Sequence, residues 1–352
     1  MLKRTPVTVV TGFLGAGKTT ILRHLLTSSG RRLAVMMNEF GSVGLDGDLI
    51  RSCGFCPEDE VDSRLVELNN GCLCCTVQDD FLPTMQTLLE RADDLDGIVI
   101  ETSGLALPRP LLQALDWPDI RNQVHVNGVV TLVDGEALAA GSPVADVEAL
   151  ERERENDPSL DHITAIDELF RDQLQSADLV LISRADQLLS AQLEALQVEL
   201  KQKVREGTAL LPVAQGRVDP SVVLGLEHHH HDETNHHGDA HEHHDHSHVN
   251  VVGRNVQIEA ELDRTSLESL LTRLVSEHQV LRLKGRLWIP GKTLPLQIQM
   301  VGPRLNSWFE AAPVRAWKPA SGAGADLVVL ALQEGAADAI ESSIRTLLNK
   351  HA

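Results

Sequence analysis

Gly12-Phe13-Leu14-Gly15-Ala16-Gly17-Lys18-Thr19 fits the pattern G-x-x-x-x-G-K-[ST] at every fixed position. The glycines let backbone N–H groups close on phosphate oxygens. Lys18 neutralises the β- and γ-phosphates, and the Thr19 hydroxyl is a ligand for Mg²⁺. A helix starting here adds its positive N-terminal end. Gly12, Gly15, Ala16, Gly17, Lys18, Thr19 and Thr20 are therefore read as a nucleotide-binding loop, with Lys18 and Thr19 also catalytic.

Two further segments complete such a site. Glu101-Thr102-Ser103-Gly104 follows an apolar strand pattern. An acid at the C-terminal end of a strand lies beside a phosphate loop. Glu101 is expected to hold Mg²⁺ through water or to order the γ-phosphate, and Gly104 to sense that phosphate. Ser183-Arg184-Ala185-Asp186 stands where GTPases carry N-K-x-D. The Asp186 carboxylate can accept from guanine N1–H and the 2-amino group, which adenine does not offer. Ser183 replaces the amide, and Arg184 replaces a lysine stem with a guanidinium that can stack on the base. GTP with Mg²⁺ is the expected nucleotide. No water-activating side chain is evident, so slow intrinsic hydrolysis is expected.

All 5 cysteines lie between Cys53 and Cys75. Clustered thiols in a reducing compartment read as metal ligands or redox groups. Cys72, Cys74 and Cys75 form C-x-C-C. In an extended stretch Cys72 and Cys74 share one side, and a turn at Asn69-Asn70-Gly71 would bring Cys75 inward. Thiolates suit Zn²⁺, Co²⁺, Ni²⁺ or Cu⁺. Cys53 and Cys56 form a single C-x-x-C, either a second site or a supplier of one thiol to the first. Residues 228–248 hold 11 of the 16 histidines and 5 acids. With almost no apolar residue they read as a disordered linker that captures or buffers metal.

These groups need a scaffold. The chain has 352 residues, enough for two or three domains. Short apolar runs at Pro6–Thr11, Leu33–Met37, Gly97–Glu101, Val124–Asp134, Leu179–Ser183 and Leu210–Val213 read as strands. Helical spacing at Thr19–Leu26, Phe81–Arg91, Ile166–Gln175 and Ala191–Val204 alternates with them. That order predicts an α/β fold, a P-loop NTPase domain with a mostly parallel, doubly wound sheet. Gly141–Thr164 reads as an irregular, acidic insertion. Beyond the histidines, strand patterns at Asn255–Leu262, Val280–Ile289, Leu294–Val301 and Leu327–Leu332 enclose helical patterns at Ser266–Glu277 and Ala336–Leu348. They predict a smaller antiparallel α+β domain packed on one face. The expected division is 1–226, 227–249 and 250–352.

Charge narrows the function. Lys and Arg total 31 against 51 Asp and Glu, a formal net charge of −20. Binding driven by nucleic-acid phosphates is excluded as a main role. With 6 Phe, 4 Trp and no Tyr, so is a base-stacking surface. No apolar run approaches the roughly 18 residues of a membrane span, and no signal-peptide core follows Met1, so a cytoplasmic protein is expected. The imbalance is local. Residues 1–248 carry 19 basic and 41 acidic side chains, and residues 249–352 carry 12 and 10. Arg282-Leu283-Lys284-Gly285-Arg286-Leu287-Trp288 alternates basic with apolar residues. It is either a solvated strand face or a docking surface for the acidic first domain or a client.

The order GFLGAGKTT, Asn38-Glu39-Phe40-Gly41, GCLCC at 71–75, ETSGLALP at 101–108, a His-rich linker and a small final domain resembles the CobW family. That family comprises metal-handling P-loop GTPases, relatives of the nickel-insertion GTPases. The resemblance implies a GTP-dependent metallochaperone with Glu39 near the thiols. SCGFCPEDEV ahead of GCLCC resembles the cobalt-directed branch, which implies cobalt supply to cobalamin synthesis and a metal-accepting client protein. A zinc-directed chaperone is the alternative. A small-molecule kinase explains the nucleotide motifs without the thiols, and a metal store explains the thiols without the nucleotide motifs. The oligomeric state is not legible.

Overall fold

The computed structural model describes residues 4–37, 65–67, 81–146, 148, 150, 166–225 and 251–349. The first of its two sheets is parallel and has seven strands. In chain order they are β1 (Thr5–Gly12), β2 (Leu33–Met37), β3 (Leu65–Glu67), β4 (Gly97–Glu101), β5 (Val124–Asp134), β6 (Leu179–Ser183) and β7 (Ala209–Pro212). Across the sheet the order is β3-β2-β4-β1-β5-β6-β7. The helices are α1 (Lys18–Ser28), α2 (Leu82–Leu89), α3 (Pro108–Leu115), α4 (Gly135–Ala139), α5 (Ile166–Ser176), α6 (Ser190–Lys203) and α7 (Pro220–Leu224).

The strands form because their side chains are buried on both faces. Successive residues alternate between cores. Val10, Leu33, Val35 and Val99 pack with Ile21, Leu22 and Leu25 of α1. Val7, Val9, Ala34, Met36, Ile98 and Ile100 pack with Met85 of α2 and Leu111 of α3. Val180 and Ile182 join a third cluster with Phe170 of α5 and Leu196 of α6. Each fully buried aliphatic side chain contributes about 1.5–3 kcal/mol.

The second sheet has five strands in the order β11-β10-β9-β12-β8. These are β8 (Val252–Ile258), β9 (Val280–Trp288), β10 (Leu296–Val301), β11 (Arg304–Phe309) and β12 (Gly324–Ala331), paired antiparallel. Helices α8 (Arg264–Glu277) and α9 (Ala336–Asn349) cover one face through Leu267, Leu271, Ile340 and Ile344, which meet Leu283 and Leu287 of β9.

The expectation that the domain packs on one face only is corrected, and of the two readings of the basic 282–288 face, solvated or docked on the first domain, the structure shows the docked one. This face docks on the first domain at the N-terminal edge of the parallel sheet. A bulge in β5 shifts the β1 register between Val7 and Thr8, so that Val7 pairs with Val126 and Thr8 with Gly128. The extra residue, Asn127, turns its side chain toward the seam. There Asn127 Oδ1 accepts from Arg282 and Gln299, while its Nδ2 donates to Thr8 Oγ1 and the Leu224 carbonyl. Asp178, fully buried just ahead of β6, accepts from Arg205 of its own domain and from Arg304 Nε at 2.5 Å across the seam. Among the described residues no helix is long and apolar enough to cross a membrane.

Candidate nucleotide and metal site

The phosphate loop joins the C-terminal end of β1 to α1. Gly12, Gly15 and Gly17 have φ of 139°, 77° and 97°, a region closed to most side chains. A Cβ on Gly12 would sit 2.3 Å from the Leu132 carbonyl oxygen. Ala16 N–H donates to Phe13 O at 3.1 Å, which closes the loop on itself. The Lys18 ammonium folds back over the loop and donates to Gly12 O at 2.9 Å and Phe13 O at 3.2 Å. Thr19 is half-buried and Thr20 exposed in the first turn of α1.

Glu101 ends β4 one strand away, buried at 7% exposure. Its continuation is tightly held. Thr102 N–H donates to Val10 O, and Thr102 Oγ1 donates to Thr11 Oγ1 at 2.9 Å. Gln173 of α5 donates to the carbonyl of Gly104 at 3.1 Å. A Cβ on Gly104 would lie 2.7 Å from Leu14 N, so this residue type lets the β4 loop press against the phosphate loop.

The third segment follows β6. Ser183 Oγ donates to Val133 O at 3.2 Å and lies under Gly17. Arg184 adopts φ 53° and donates to Asp134 Oδ2 at 2.5 Å, with a 3.5 Å contact to Gly15 O. Asp134 ends β5, is 2% exposed, and caps α4 by accepting from Ala137 N–H. The guanidinium expected to lie along a base is thus anchored to a strand-end acid and leans over the phosphate loop. Asp186 is exposed in the following turn and accepts from Gln187 Nε2. Asp134 and Gln173 carry no motif signal and were not anticipated.

The nucleotide-binding candidates among the described residues therefore lie together at the C-terminal edge of β1, β4 and β6. Glu39, Cys53, Cys56, Cys72, Cys74, Cys75 and the 227–249 stretch lie outside the described residues. Their points of departure are nevertheless set. Met37 ends β2 in register with Glu101 on one side and with Glu67, the end of β3, on the other. Glu39 is two residues beyond Met37, and Cys72 is five beyond Glu67. Five residues of chain span at most about 18 Å.

A parallel doubly wound sheet with this loop defines a P-loop nucleotide-binding protein. The family profile "CobW/HypB/UreG, nucleotide-binding domain" matches residues 6–211, and "Cobalamin synthesis protein cobW C-terminal domain" matches residues 251–348. The chain belongs to the CobW/HypB/UreG family. It is 44% identical over 359 residues to the zinc chaperone CobW of Pseudomonas aeruginosa, covering 99% of this chain and 92% of that one. It is 41% identical over 356 residues to the zinc chaperone CobW of Sinorhizobium sp., covering 97% of each. The zinc chaperone YjiA of Escherichia coli is 29% identical over 304 residues, 84% of this chain and 85% of that one.

Proposed function

We propose that this chain is a cytoplasmic GTPase metallochaperone, binding a divalent transition metal on Cys72, Cys74 and Cys75 beside Glu39 and delivering it to a client protein. The observation that carries this reading is the common edge. The departures toward Glu39 and the thiols lie in register with Glu101, one strand from the phosphate loop. In this reading Gly12 to Thr20 cradle the phosphates, and Lys18 offsets their charge. Gly104 sets how closely the β4 loop approaches the γ-phosphate. Ser183, Arg184 and Asp186 border the base, with Asp186 choosing guanine. The donor set suits Mg²⁺, since a loop hydroxyl at Thr19 and a buried carboxylate at Glu101 are both hard oxygen ligands. When bound there, Mg²⁺ would neutralise phosphate charge as the terminal phosphoryl group departs.

Zinc is the cargo favoured by the names of the relatives at 44% and 41% identity. The cobalt reading rests on SCGFCPEDEV, and thiolates alone do not separate the two metals. Cys53 and Cys56 would add a thiol or a second site. Residues 227–249 would link domains 1–226 and 250–352 and gather metal for transfer.

Co²⁺ serves as the optical probe of the thiol site. The natural chain with Mg·GTP is expected to show sulfur-to-metal charge transfer in the near ultraviolet on adding one equivalent of Co²⁺. The double substitution Cys74→Ser, Cys75→Ser should remove that absorption and leave GTP binding in place. Persistence of the band in the double variant would move the metal to the 53–56 pair and overturn this assignment.

A further inference from the structure

We propose that the cavity between the two domains binds a small oxyanion, a phosphate or polycarboxylate, at the sheet edge opposite the phosphate loop. The cavity measures about 500 Å³. The first domain lines it with Arg4 and Arg31, the second with Arg282, Lys284 and Arg286 on one face of β9. Asp96 and Glu310 are its two acids, so its formal lining charge is 5 − 2 = +3. The whole chain is −20, so this concentration of cations stands against the overall trend.

Two buried cations are only partly compensated: burial outweighs the nearby carboxylates of Asp326 and Glu310 at Arg286 and of Asp178 at Arg282. Arg286 is 4% exposed, and its Nε is buried with no hydrogen-bond partner among the described residues. Its cross-strand neighbours are Gln297 and Asp326. Gln297 donates instead to the Glu310 carbonyl, and Asp326 accepts from Gln257. Arg282 is 3% exposed, and its hydrogen bonds among the described residues go to uncharged oxygens, the carbonyls of Val222, Val223 and Asn127 and the Asn127 amide. Burial, only partly opposed by Asp178, brings the Arg282 pKa down to about 9.

His125 also lines the cavity. Its ring lies 4.6 Å from Trp308, and its Nδ1 is buried with no hydrogen-bond partner among the described residues. Burial, with nearby Lys284, lowers its pKa to about 3, so the ring is neutral. An oxyanion in this space would accept from Arg286 and Lys284 and add to the partial countercharge that Arg282 has from Asp178. Because both domains form the walls, such a ligand stabilises the docked pair by mass action.

The test uses the full chain at pH 8, saturated with Mg²⁺ and a non-hydrolysable GTP analogue, so that the phosphate loop is filled throughout. Inorganic phosphate and, separately, tricarballylate are titrated by calorimetry. At least one should bind saturably at one per chain and raise the unfolding temperature. Tighter phosphate assigns a phosphoryl ligand, and tighter tricarballylate a polycarboxylate. Arg286→Gln should weaken binding at least tenfold. Lys284→Gln, at a half-buried position, should weaken it as well and gives the reading if Arg286→Gln does not fold. No saturable binding by either anion, or unchanged binding in both variants, would overturn the proposal.

Discussion

Lys18→Ala is expected to lower GTP affinity at least 100-fold, about 2.7 kcal/mol, and to leave the fold intact. The two hydrogen bonds of the ammonium go to loop carbonyls, Gly12 O and Phe13 O, and not to the apolar clusters that hold α1 against the sheet. Alanine is also the best helix former, so the first turn of α1 is not weakened. What is lost is a charge-assisted contact to phosphate in a loop whose remaining donors are backbone N–H groups. Contacts to charged groups are worth about 1.5–3 kcal/mol each. Titration with a fluorescent GTP analogue, beside thermal unfolding of the unliganded variant, separates the effects. A fall in affinity below tenfold would contradict the phosphate assignment of Lys18. A collapse of the unfolding temperature would show that the residue is structural.

Asp178→Ala should have the largest effect on stability, at the other edge of the sheet. The carboxylate is fully buried and holds Arg205, Arg304 and the Val129 N–H. Removing one member of a buried ionic cluster strands the others, at a cost of about 3–5 kcal/mol. Arg304 lies across the seam, so the loss also loosens the docked domain. The urea midpoint is expected to fall markedly, and Arg304→Gln should lower it by less, because Arg205 and Val129 still satisfy the carboxylate. GTP affinity should change little in either variant, since Asp178 lies at the end of the sheet away from the phosphate loop. An unchanged midpoint in Asp178→Ala would contradict the role of this acid in joining the domains.

Much of this fold is legible because buried parallel strands must be apolar throughout. Gly97–Glu101, Val124–Asp134 and Leu179–Ser183 are strands over the limits their composition predicts. The omissions have physical causes. Helix α3 begins Pro108-Arg109-Pro110, which reads as a break, although proline is favoured in a first helical turn. Strand β3 has three residues, too few for any periodicity, and β11 is half-buried along its length, so its pattern is weak. Strand β8 runs Val252–Ile258, starting three residues before the expected Asn255 because Val252 to Arg254 are not buried and so show no apolar alternation.

The phosphate loop was fully legible, since its residue types follow from phosphate chemistry. The role of Asp134 was not, because an acid at a strand end acquires meaning only when Arg184 is brought to it from another strand. The basic alternation at 282–288 was visible, as either a solvated strand face or a docking surface. Its acceptors were not, because Arg282 meets backbone carbonyls, which every sequence contains.

Because Met37, Glu67 and Glu101 end their strands in register, the proposed metallochaperone function requires that nucleotide beside Glu101 and metal bound beyond β2 and β3 be coupled. Any such coupling must be reciprocal, so metal should tighten nucleotide as much as nucleotide tightens metal. The most direct measurement is the Zn²⁺ affinity of the tightest site, set against a chelator of known affinity, with Mg²⁺ and a non-hydrolysable GTP analogue and then with Mg·GDP. The GTP-like state is expected to bind Zn²⁺ at least tenfold more tightly, a coupling of about 1.4 kcal/mol or more. Equal Zn²⁺ affinity in the two nucleotide states would contradict the account.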